Sequence, residues 1–262
     1  MAGTEVLKLE DAAPHVVKVI LNRPERRNAI STELAQELET LFTELAARND
    51  LRAVILTGEG SGFCSGADLK ERANLTSEQV RQQRDAVVRV IMRMESLHMP
   101  VIGMINGPAF AGGMELALGC DIRVASDRAS FALTEVRNMG SFPGAGGPVR
   151  LPKLVGRGRA SYIVLTGRTI SAREAYDFGL VELLVPHEDL AAQTLAVAQD
   201  IAGNSPSGIA AVKRLLRASN DLDVHAATEL SRALRDPLDG GHDYKEGLKA
   251  WLTDSVPNFK AT

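Results

Sequence analysis

Short apolar runs recur along the first 187 residues and are separated by longer segments with helical spacing. The runs hold four to six residues, are rich in Val and Ile, and mostly stop at Gly, Pro or Asn, which is typical of buried strands. Strands are therefore expected at 16–21, 53–57, 101–105, 122–125 and 181–185.

Apolar positions with a period near 3.6 predict helices between these strands. Thr76 and Gln79 have the spacing of a capping box, and the helix that they begin should end before Pro100, because the residue before a proline disfavours helical backbone. Ser171 and Glu174 repeat the same box. Helices are expected at 29–48, 76–99, 114–118 and 171–179.

The pattern changes near residue 188, beyond which apolar residues keep helical spacing and strand signals vanish. The sequence therefore predicts the α/β class, with an α/β core over 1–187 and a helical C-terminal region over 188–262. So many apolar helix faces in a short region should pack on the core or on a neighbouring subunit.

Composition narrows the classes of partner. The 262 residues include 30 basic and 33 acidic side chains, a net charge of −3, so no nucleic acid partner is expected. No apolar stretch reaches the ~18 residues of a membrane span, and the start lacks the layout of a signal peptide. With only two cysteines, no disulfide scaffold or cysteine-based zinc site is expected. A cytoplasmic location is the simplest expectation.

A glycine-rich segment at 58–66 follows the second strand and allows several interpretations. A dinucleotide-binding loop would need a third glycine where Phe63 stands, so a flexible connection is favoured. Cys64 stands at the centre of a G-x-nucleophile-x-G pattern, but a loop separates it from the strand and no histidine–acid pair is evident nearby. A small buried cysteine is the stronger interpretation.

The segment 112–118 carries the most chemical information. Gly112 and Gly113 at a helix start allow close backbone approach and leave free N–H groups. Glu115 lies in the apolar run that follows, where it is either buried at considerable cost or on a solvated stripe. Glu135, a surface residue if taken alone, is a second acid beside apolar residues. Together the two indicate a general acid and a general base.

These residues, taken with further landmarks, resemble the enoyl-CoA hydratase/isomerase (crotonase) superfamily over essentially the whole chain. Each landmark is short, but their order and spacing are specific. The segment 66–72 also resembles members that hydrate methylglutaconyl-CoA, some of which bind RNA. The matching segments are 21–24, 28–29, 63–70, 106–117, 120–123, 142–147, 150–152 and 167–181.

The resemblance implies a ClpP/crotonase spiral of β-β-α units with two roughly perpendicular sheets. It also implies a helical C-terminal trimerisation region and homotrimers, often paired into hexamers. The implied activity is that of a lyase that hydrates a 2-enoyl-CoA to a 3-hydroxyacyl-CoA in fatty-acid or branched-chain acyl-CoA breakdown. An isomerase or dehydratase of the carnitinyl- or methylglutaconyl-CoA type and a non-catalytic acyl-CoA-binding protein are the alternatives. Neither a metal nor a cofactor is implied, since coenzyme A belongs to the substrate.

The resemblance also implies roles for individual residues. The backbone N–H groups of Ala67 and Gly112 would form an oxyanion hole, with Glu135 as the acid that supplies the α-proton and Glu115 as the base that orients water. Two departures from the family pattern stand out, Ala111 in a run that is usually three glycines and Pro148-Val149 after Gly147, and the second puts substrate preference in question. The residues expected to bind substrate or CoA are Arg26, Cys64, Ala67, Asp68, Leu69, Lys70, Gly112, Phe259 and Lys260.

Overall fold

The computed structural model describes residues 4–260. Short 3-10 helices lie at Pro24–Arg26, His187–Asp189 and Asp236–Leu238. The strands are β1 (Leu7–Ala13), β2 (Val16–Leu21), β3 (Ala53–Gly58), β4 (Val101–Ile105), β5 (Pro108–Phe110), β6 (Ile122–Ser126), β7 (Ser130–Ala132), β8 (Ile170–Ser171) and β9 (Leu183–Val185). The helices are α1 (Thr32–Leu45), α2 (Leu69–Arg72), α3 (Ser77–Ser96), α4 (Gly112–Leu118), α5 (Glu135–Asn138), α6 (Gly147–Thr166), α7 (Ala172–Phe178), α8 (Leu190–Ala202), α9 (Pro206–Ser219), α10 (Val224–Arg235) and α11 (His242–Leu252).

Two sheets organise the fold. The larger has six strands in the order β1-β2-β3-β4-β6-β9, in which only β1 runs antiparallel to its neighbour. The smaller has the order β5-β7-β8, with β5 and β7 parallel. Parallel strands need long crossover connections, which explains why helical segments separate the strands of the larger sheet.

Helices cover both faces of the larger sheet, so its central strands are buried throughout. In β3, Val54 and Leu56 join the main core, to which α1 and α3 contribute apolar side chains. Ile55 points to the opposite face, where it packs with apolar residues of α8 in a second cluster. Continuous apolar strands are what a parallel sheet covered on both faces requires.

The larger sheet also positions two loops. Strands β3 and β4 are parallel neighbours, so the chain leaves both of them at the same edge of the sheet. After β3 the chain forms the loop 59–68, and after β4 it runs through β5 into α4. Open parallel sheets place their ligand sites outside the carboxyl ends of the strands, so this edge is where a site is expected.

All five strands and the helices expected from the sequence pattern are present, and the capping boxes of Thr76 with Gln79 and of Ser171 with Glu174 both form. The pattern did not predict β1, the three short strands of the second sheet, α5 or α6. The 20-residue α6 contains Pro152 and a kink at Gly156 (φ 78°), and these breakers obscure its periodicity.

After β9 the described residues form the helices α8 to α11, the last of which ends at Leu252, and no further strand. The first of these helices, α8, packs on β3, β4 and β6 and so completes the second core cluster. The division at 187/188 as a domain boundary and the trimerisation role of 188–262 stay predictions. Within 4–260 no helix combines the length and the apolar character that crossing a membrane requires.

Candidate active site

The loops that follow β3 and β4 run alongside each other. The backbone N–H of Cys64 donates to the Pro108 carbonyl at 3.1 Å, and the Phe110 N–H donates to the Cys64 carbonyl at 2.9 Å. A bridge between Cys64 and Ala109 completes this short pairing. The pairing places the segment just after Cys64 against the start of α4.

Two glycines permit this approach. A Cβ added to Gly113 would lie 2.1 Å from the Cys64 carbonyl oxygen, so no larger residue fits there without moving the backbone. Gly66 has φ +87°, a left-handed conformation that favours glycine, and a Cβ there would lie 2.8 Å from the Ala111 Cβ. The glycines at these positions therefore set the distance between the two loops.

The contact leaves two backbone N–H groups side by side. Ile30 pairs with the neighbours of Ala67, accepting from the Asp68 N–H and donating to the Gly66 carbonyl, so the N–H of Ala67 itself points the other way. Gly112 is the first residue of α4, where an N–H has no acceptor within the helix. A Cβ on Gly112 would lie 3.9 Å from the Ala67 nitrogen, which shows how close the two residues are.

Both residues line a cavity of about 600 Å³, here called the site cavity. This size falls in the range of about 300–1,000 Å³ that is typical of small-molecule sites. Its wall combines apolar side chains, such as Ile30 and Val87, with a few polar ones. Glu115 and Glu135 belong to the same wall, so the cavity brings together the four residues expected to carry out chemistry.

Glu115 is held in a fixed orientation. Its side chain is on α4 with only 3% of the residue exposed, and one carboxyl oxygen, Oε1, accepts from the backbone N–H groups of Ala145 and Gly147, both at 2.8 Å. Burial, helped by the nearby Glu135, raises the pKa of Glu115 to about 7 against the opposing effect of the two N–H donors. The alternative of a solvated stripe is therefore wrong.

Glu135 is the first residue of the short helix α5 and is partly buried. Its Oε2 atom is buried and has no hydrogen-bond partner in the part of the chain that the structure describes. Burial raises the pKa of Glu135, while the positive charge of Arg72 lowers it. A surface role is excluded, because the carboxyl faces the site cavity.

The other predicted substrate contacts divide into two groups. Leu69 lines the site cavity, whereas Cys64 is fully buried behind it. The Asp68 carboxylate is buried in an ion pair with Arg23 (3.0 Å) and caps α2, so its side chain is already engaged within the protein. Lys70 is exposed beside the cavity without lining it.

Arg26, Phe259 and Lys260 are not brought to the site cavity of their own chain. Arg26 is exposed at the end of the 3-10 helix that follows β2. The Phe259 carbonyl accepts from Arg52 at 2.7 Å, and the Lys260 N–H donates to Asp243 at 2.9 Å. Because Arg52 precedes β3, these C-terminal residues lie at the edge of the sheet opposite the site, and their CoA-binding roles stay predictions that need a neighbouring subunit.

The structure shows which interpretation of Cys64, in segment 58–66, is correct. Burial raises the pKa of the Cys64 thiol to about 12, so this cysteine is a core residue and no nucleophile. The connection itself, which was expected to be flexible, is held by side-chain hydrogen bonds. The side-chain amide of Asn106 donates to the carbonyls of Gly58 and Gly60, both at 2.9 Å, and that of Asn28 donates to the loop as well. These buried amides anchor the loop at four of its carbonyls.

Sequence reasoning missed two features of the site. The N–H groups of Ala145 and Gly147, which hold Glu115, lie 30 and 32 residues away along the chain. Arg72 lines the cavity at the end of α2, inside the segment 66–72 that resembles family members, but this side chain was given no role. Its position four residues after Asp68, the cap of that helix, was the available signal. Among residues 4–260, no group of three or more His, Cys, Asp or Glu side chains is arranged to hold a metal ion.

Comparisons with known proteins agree with this geometry. Residues 11–262 match the family model described as enoyl-CoA hydratase/isomerase. The crystal structure of an enoyl-CoA hydratase from Bacillus anthracis superposes with a TM-score of 0.96 at 40% identity, over 98% of this chain and 100% of that one. The 2,3-dehydroadipyl-CoA hydratase of Escherichia coli is 34% identical over 94% of this chain and 95% of its own length. A mevalonyl-coenzyme A hydratase of Aspergillus fumigatus is also 34% identical, over 94% and 92% respectively.

Proposed function

The chain belongs to the enoyl-CoA hydratase/isomerase (crotonase) family and has its fold, and from this premise we propose that it hydrates a 2-enoyl-CoA thioester to a 3-hydroxyacyl-CoA. Membership of the family makes it a crotonase-type enzyme that acts on acyl-CoA. The single observation that carries the finer proposal is the convergence in one cavity of two carboxyls, Glu115 and Glu135, with the N–H groups of Ala67 and Gly112.

The two N–H groups match the first requirement of the reaction. When water adds to C3 of a conjugated enoyl thioester, negative charge moves onto the thioester oxygen. Donors that are already oriented toward this oxygen stabilise the charge without having to reorganise, and losing one such donor typically costs roughly 3–4 kcal/mol of barrier. Ala67 and Gly112 have N–H groups that the fold itself leaves without an acceptor.

The two carboxyls match the second requirement, which is that water loses a proton while C2 gains one. Oε1 of Glu115 is held by two backbone donors, which fixes the carboxylate as the base that orients water. An oxygen buried without a donor, such as Oε2 of Glu135, is best accommodated as a protonated carboxyl, which suits the acid that supplies the α-proton. The pKa of about 7 for Glu115 lies near the working pH, which makes proton transfer to and from this carboxyl efficient.

Atoms balance in this step without any further group. The hydroxyl of water bonds to C3 while its proton moves to Glu115, and Glu135 gives its own proton to C2. Glu115 then returns the proton through solvent to Glu135, which restores both carboxyls. Hydration therefore needs no cofactor beyond the coenzyme A of the substrate. The relatives from Escherichia coli and Aspergillus fumigatus are both named as hydratases, which favours hydration over isomerisation.

The test is the loss of conjugated enoyl-thioester absorbance when the protein is added to crotonyl-CoA. We expect Glu115→Gln and Glu135→Gln each to lower kcat by about 100-fold or more, because a positioned acid or base contributes ~10²–10⁴-fold. Glu78→Gln is the matched control, since Glu78 is exposed and pairs with Arg81. If both site variants stay within about twofold of the unmodified enzyme, the proposal is wrong. Product analysis by mass spectrometry separates hydration from isomerisation and from binding without turnover.

The assembly is part of the proposal. Apolar side chains of the C-terminal helices remain exposed in the single chain, among them Val224 (84% exposed) and Trp251 (79%). Exposed apolar side chains of this size favour burial against another subunit. We place the protein as a homotrimer, or a pair of trimers, that brings Phe259 and Lys260 to a neighbour's site.

A further inference from the structure

The turn that holds Glu115 is itself held by an arginine that the chemistry described so far does not use. Glu115 accepts from the backbone N–H groups of Ala145 and Gly147, both at 2.8 Å. The Ala145 carbonyl, which lies between these two donors along the chain, accepts from Nη1 of Arg150 at 3.1 Å. Arg150 therefore contacts the segment 145–147, here called the base turn, through an atom that Glu115 does not use.

The guanidinium of Arg150 is fixed by Glu95 of α3. Its Nε and Nη2 atoms donate to the two carboxylate oxygens of Glu95 at 2.6 and 2.9 Å, a two-pronged geometry that orients both planar groups. Each of the two side chains is only 19% exposed. Gly146, in the middle of the base turn, has φ +99°, and a Cβ there would overlap Nη1 of Arg150. The guanidinium thus packs directly on the backbone of the base turn.

Arg150 does not reach the space that the substrate would occupy. Neither Arg150 nor Glu95 lines the site cavity, and both line a separate cavity of about 270 Å³. Glu115 lines the site cavity and not the second one. Any effect of Arg150 on the reaction therefore passes through the base turn or through its charge.

The charge of Arg150 acts in the same direction as the contact. Burial raises the pKa of Glu115 to about 7, whereas the two N–H donors and the positive charge of Arg150 favour the carboxylate. The other charged side chains around Glu115 are those of the site cavity, Glu135 of α5, Arg72 of α2 and Arg84 of α3. Glu115 must carry its negative charge to take a proton from water, so a cation behind the base turn supports the base without occupying the cavity.

We propose that Arg150 is a positioning residue of the hydration reaction. Paired with Glu95, it fixes the base turn and so keeps the Glu115 carboxylate in the orientation in which it takes a proton from water. The inference rests on the function proposed above and assigns a role to a side chain that does not touch the substrate. Its loss should therefore affect the chemical step much more than the binding of a thioester.

Arg150→Met removes the contact and the charge together. On crotonyl-CoA, kcat per folded molecule should fall about 10- to 100-fold, because a catalytic group displaced by about 1 Å loses this much. The Kd of butyryl-CoA, a saturated thioester that cannot be hydrated, should change by less than about twofold in calorimetric titration, since Arg150 is outside the site cavity. The acidic limb of the kcat/KM profile reports the pKa of the base in the free enzyme, and it should move to higher pH.

Two further variants separate the contact from the charge and from the ion pair. Arg150→Lys keeps the charge, but one ammonium group cannot hold Glu95 and the Ala145 carbonyl in the geometry of the guanidinium. We expect its pH profile to return toward that of the unmodified enzyme and its kcat to recover only in part. Arg217→Met is the matched control, because Arg217 is 46% exposed and pairs with the same Glu95 at 3.1 Å without contacting the base turn. Its kcat should stay within about twofold of the unmodified enzyme.

Four results overturn the proposal. The first is a kcat of Arg150→Met within about twofold of the unmodified enzyme. The second is an equal loss of kcat and of butyryl-CoA binding, which would mean that Arg150 supports the whole cavity. The third is a loss in Arg217→Met as large as that in Arg150→Met, which would assign the effect to the pairing of Glu95. The fourth is full recovery of kcat in Arg150→Lys, which would leave the charge alone responsible and which also decides the question if Arg150→Met does not fold.

Infrared spectroscopy of the ligand-free protein gives a measurement that does not depend on turnover. The protonated-carboxyl band that Glu115→Gln removes reports the protonation of Glu115. In Arg150→Met this band should persist to higher pH than in the unmodified protein and should broaden, because the carboxyl loses its fixed orientation. If no thioester is hydrated, the function proposed above fails, and this titration still decides the positioning claim. A band with unchanged titration and width would refute it.

Discussion

The two ends of the parallel strands in the six-stranded sheet differ in how their charged side chains are paired. The stabilising edge is the one where these strands begin, and the reactive edge is the one where they end and where the site cavity lies. At the edge where the parallel strands begin, every buried charge has partners. Lys213 of α9 donates to the carbonyls of Met94 and Met99 and pairs with Asp121 at 2.7 Å. Arg52 donates to two carbonyls of the C-terminal region, both at 2.7 Å. Here long basic side chains connect the C-terminal helices to the sheet and satisfy backbone oxygens.

At the edge where the strands end, the Asp68–Arg23 pair is satisfied in the same way, but several groups that line the site cavity face no opposite charge or no acceptor. Glu115 and Glu135 have no cation in contact, Arg72 has no anion, and the N–H groups of Ala67 and Gly112 have no acceptor in the described structure. Oε2 of Glu135 lowers the stability of the empty protein, since a buried polar group without a partner is costly, and the buried Glu115 carboxyl does so when it is ionised. The comparison indicates that one edge stabilises the fold and that the other retains unsatisfied groups which a substrate can satisfy.

Lys213→Met tests the stabilising edge and should have the largest effect on stability. It leaves the Asp121 carboxylate without its cation and removes a donor from the Met94 and Met99 carbonyls. Breaking a buried ion pair on one side typically costs about 3–5 kcal/mol, and we expect a loss of about 4 kcal/mol in the free energy of unfolding, measured by urea denaturation. Lys153→Met is the control, because Lys153 and Asp221 form an exposed pair that should contribute less than about 1 kcal/mol.

The activity of Lys213→Met tests whether the two edges are independent of each other. Lys213 lies at the opposite edge from the site cavity, so kcat per folded molecule on the preferred enoyl-CoA should stay within about twofold of the unmodified enzyme when assayed well below the unfolding transition. A large loss of kcat in a fully folded sample would show that the two edges are coupled. The division of labour between them would then be wrong.

Glu115→Gln tests the reactive edge and should have the next largest effect on the free energy of unfolding. We expect it to raise this free energy, whereas Lys213→Met lowers it. Burial raises the pKa of Glu115 from its ordinary value of 4.5 to about 7 in the folded chain. A carboxyl with a raised pKa supports the fold fully at low pH, and that support is lost as the pH rises through about 7. Glutamine stays neutral, so the variant should gain about 2–3 kcal/mol relative to the unmodified protein between about pH 5 and pH 8.

Urea titrations at several pH values measure this difference. Glu78→Gln serves as the control, because Arg81 holds the pKa of the exposed Glu78 below its ordinary value, and a rise in pH should not favour that variant. A difference between Glu115→Gln and the unmodified protein that stays flat with pH would mean that Glu115 is ionised at no net cost. The reactive edge would then hold no destabilising charge.

The extent to which the sequence predicts the fold depends on how local the determinants are. The helix that begins at Ser77 was predicted together with its capping box, because Thr76 and Gln79 interact within one turn. The two- or three-residue strands β7 and β8 were not predicted, because each is stabilised by pairing with a distant segment. Local patterns contain no information about such pairings.

The same distinction applies to the site. Glu115 and Gly112 stand out locally, because an acid in an apolar run and paired glycines at a helix start are unusual. The assignment of Asp68 to the CoA channel depended on the resemblance alone, and its ion pair with Arg23, 45 residues away, was not visible in the sequence. Arg72 was overlooked because only the folded chain shows which arginines remain without a partner.

Ala111→Gly probes the smallest of these effects, the backbone strain at the start of α4. Ala111 has φ +51° and ψ −125°, a conformation that costs a residue with a Cβ about 1–3 kcal/mol. Glycine removes this strain but loses more entropy on folding, by roughly 0.5–1 kcal/mol, so we expect a net gain of about 1 kcal/mol in urea denaturation. Ala73→Gly is the control, since Ala73 follows α2 with φ −60° and should only lose stability. If Ala111→Gly also lowers the free energy of unfolding, packing of the Ala111 methyl group contributes more than the backbone strain costs. The reactive edge would then be better packed than the comparison of the two edges implies.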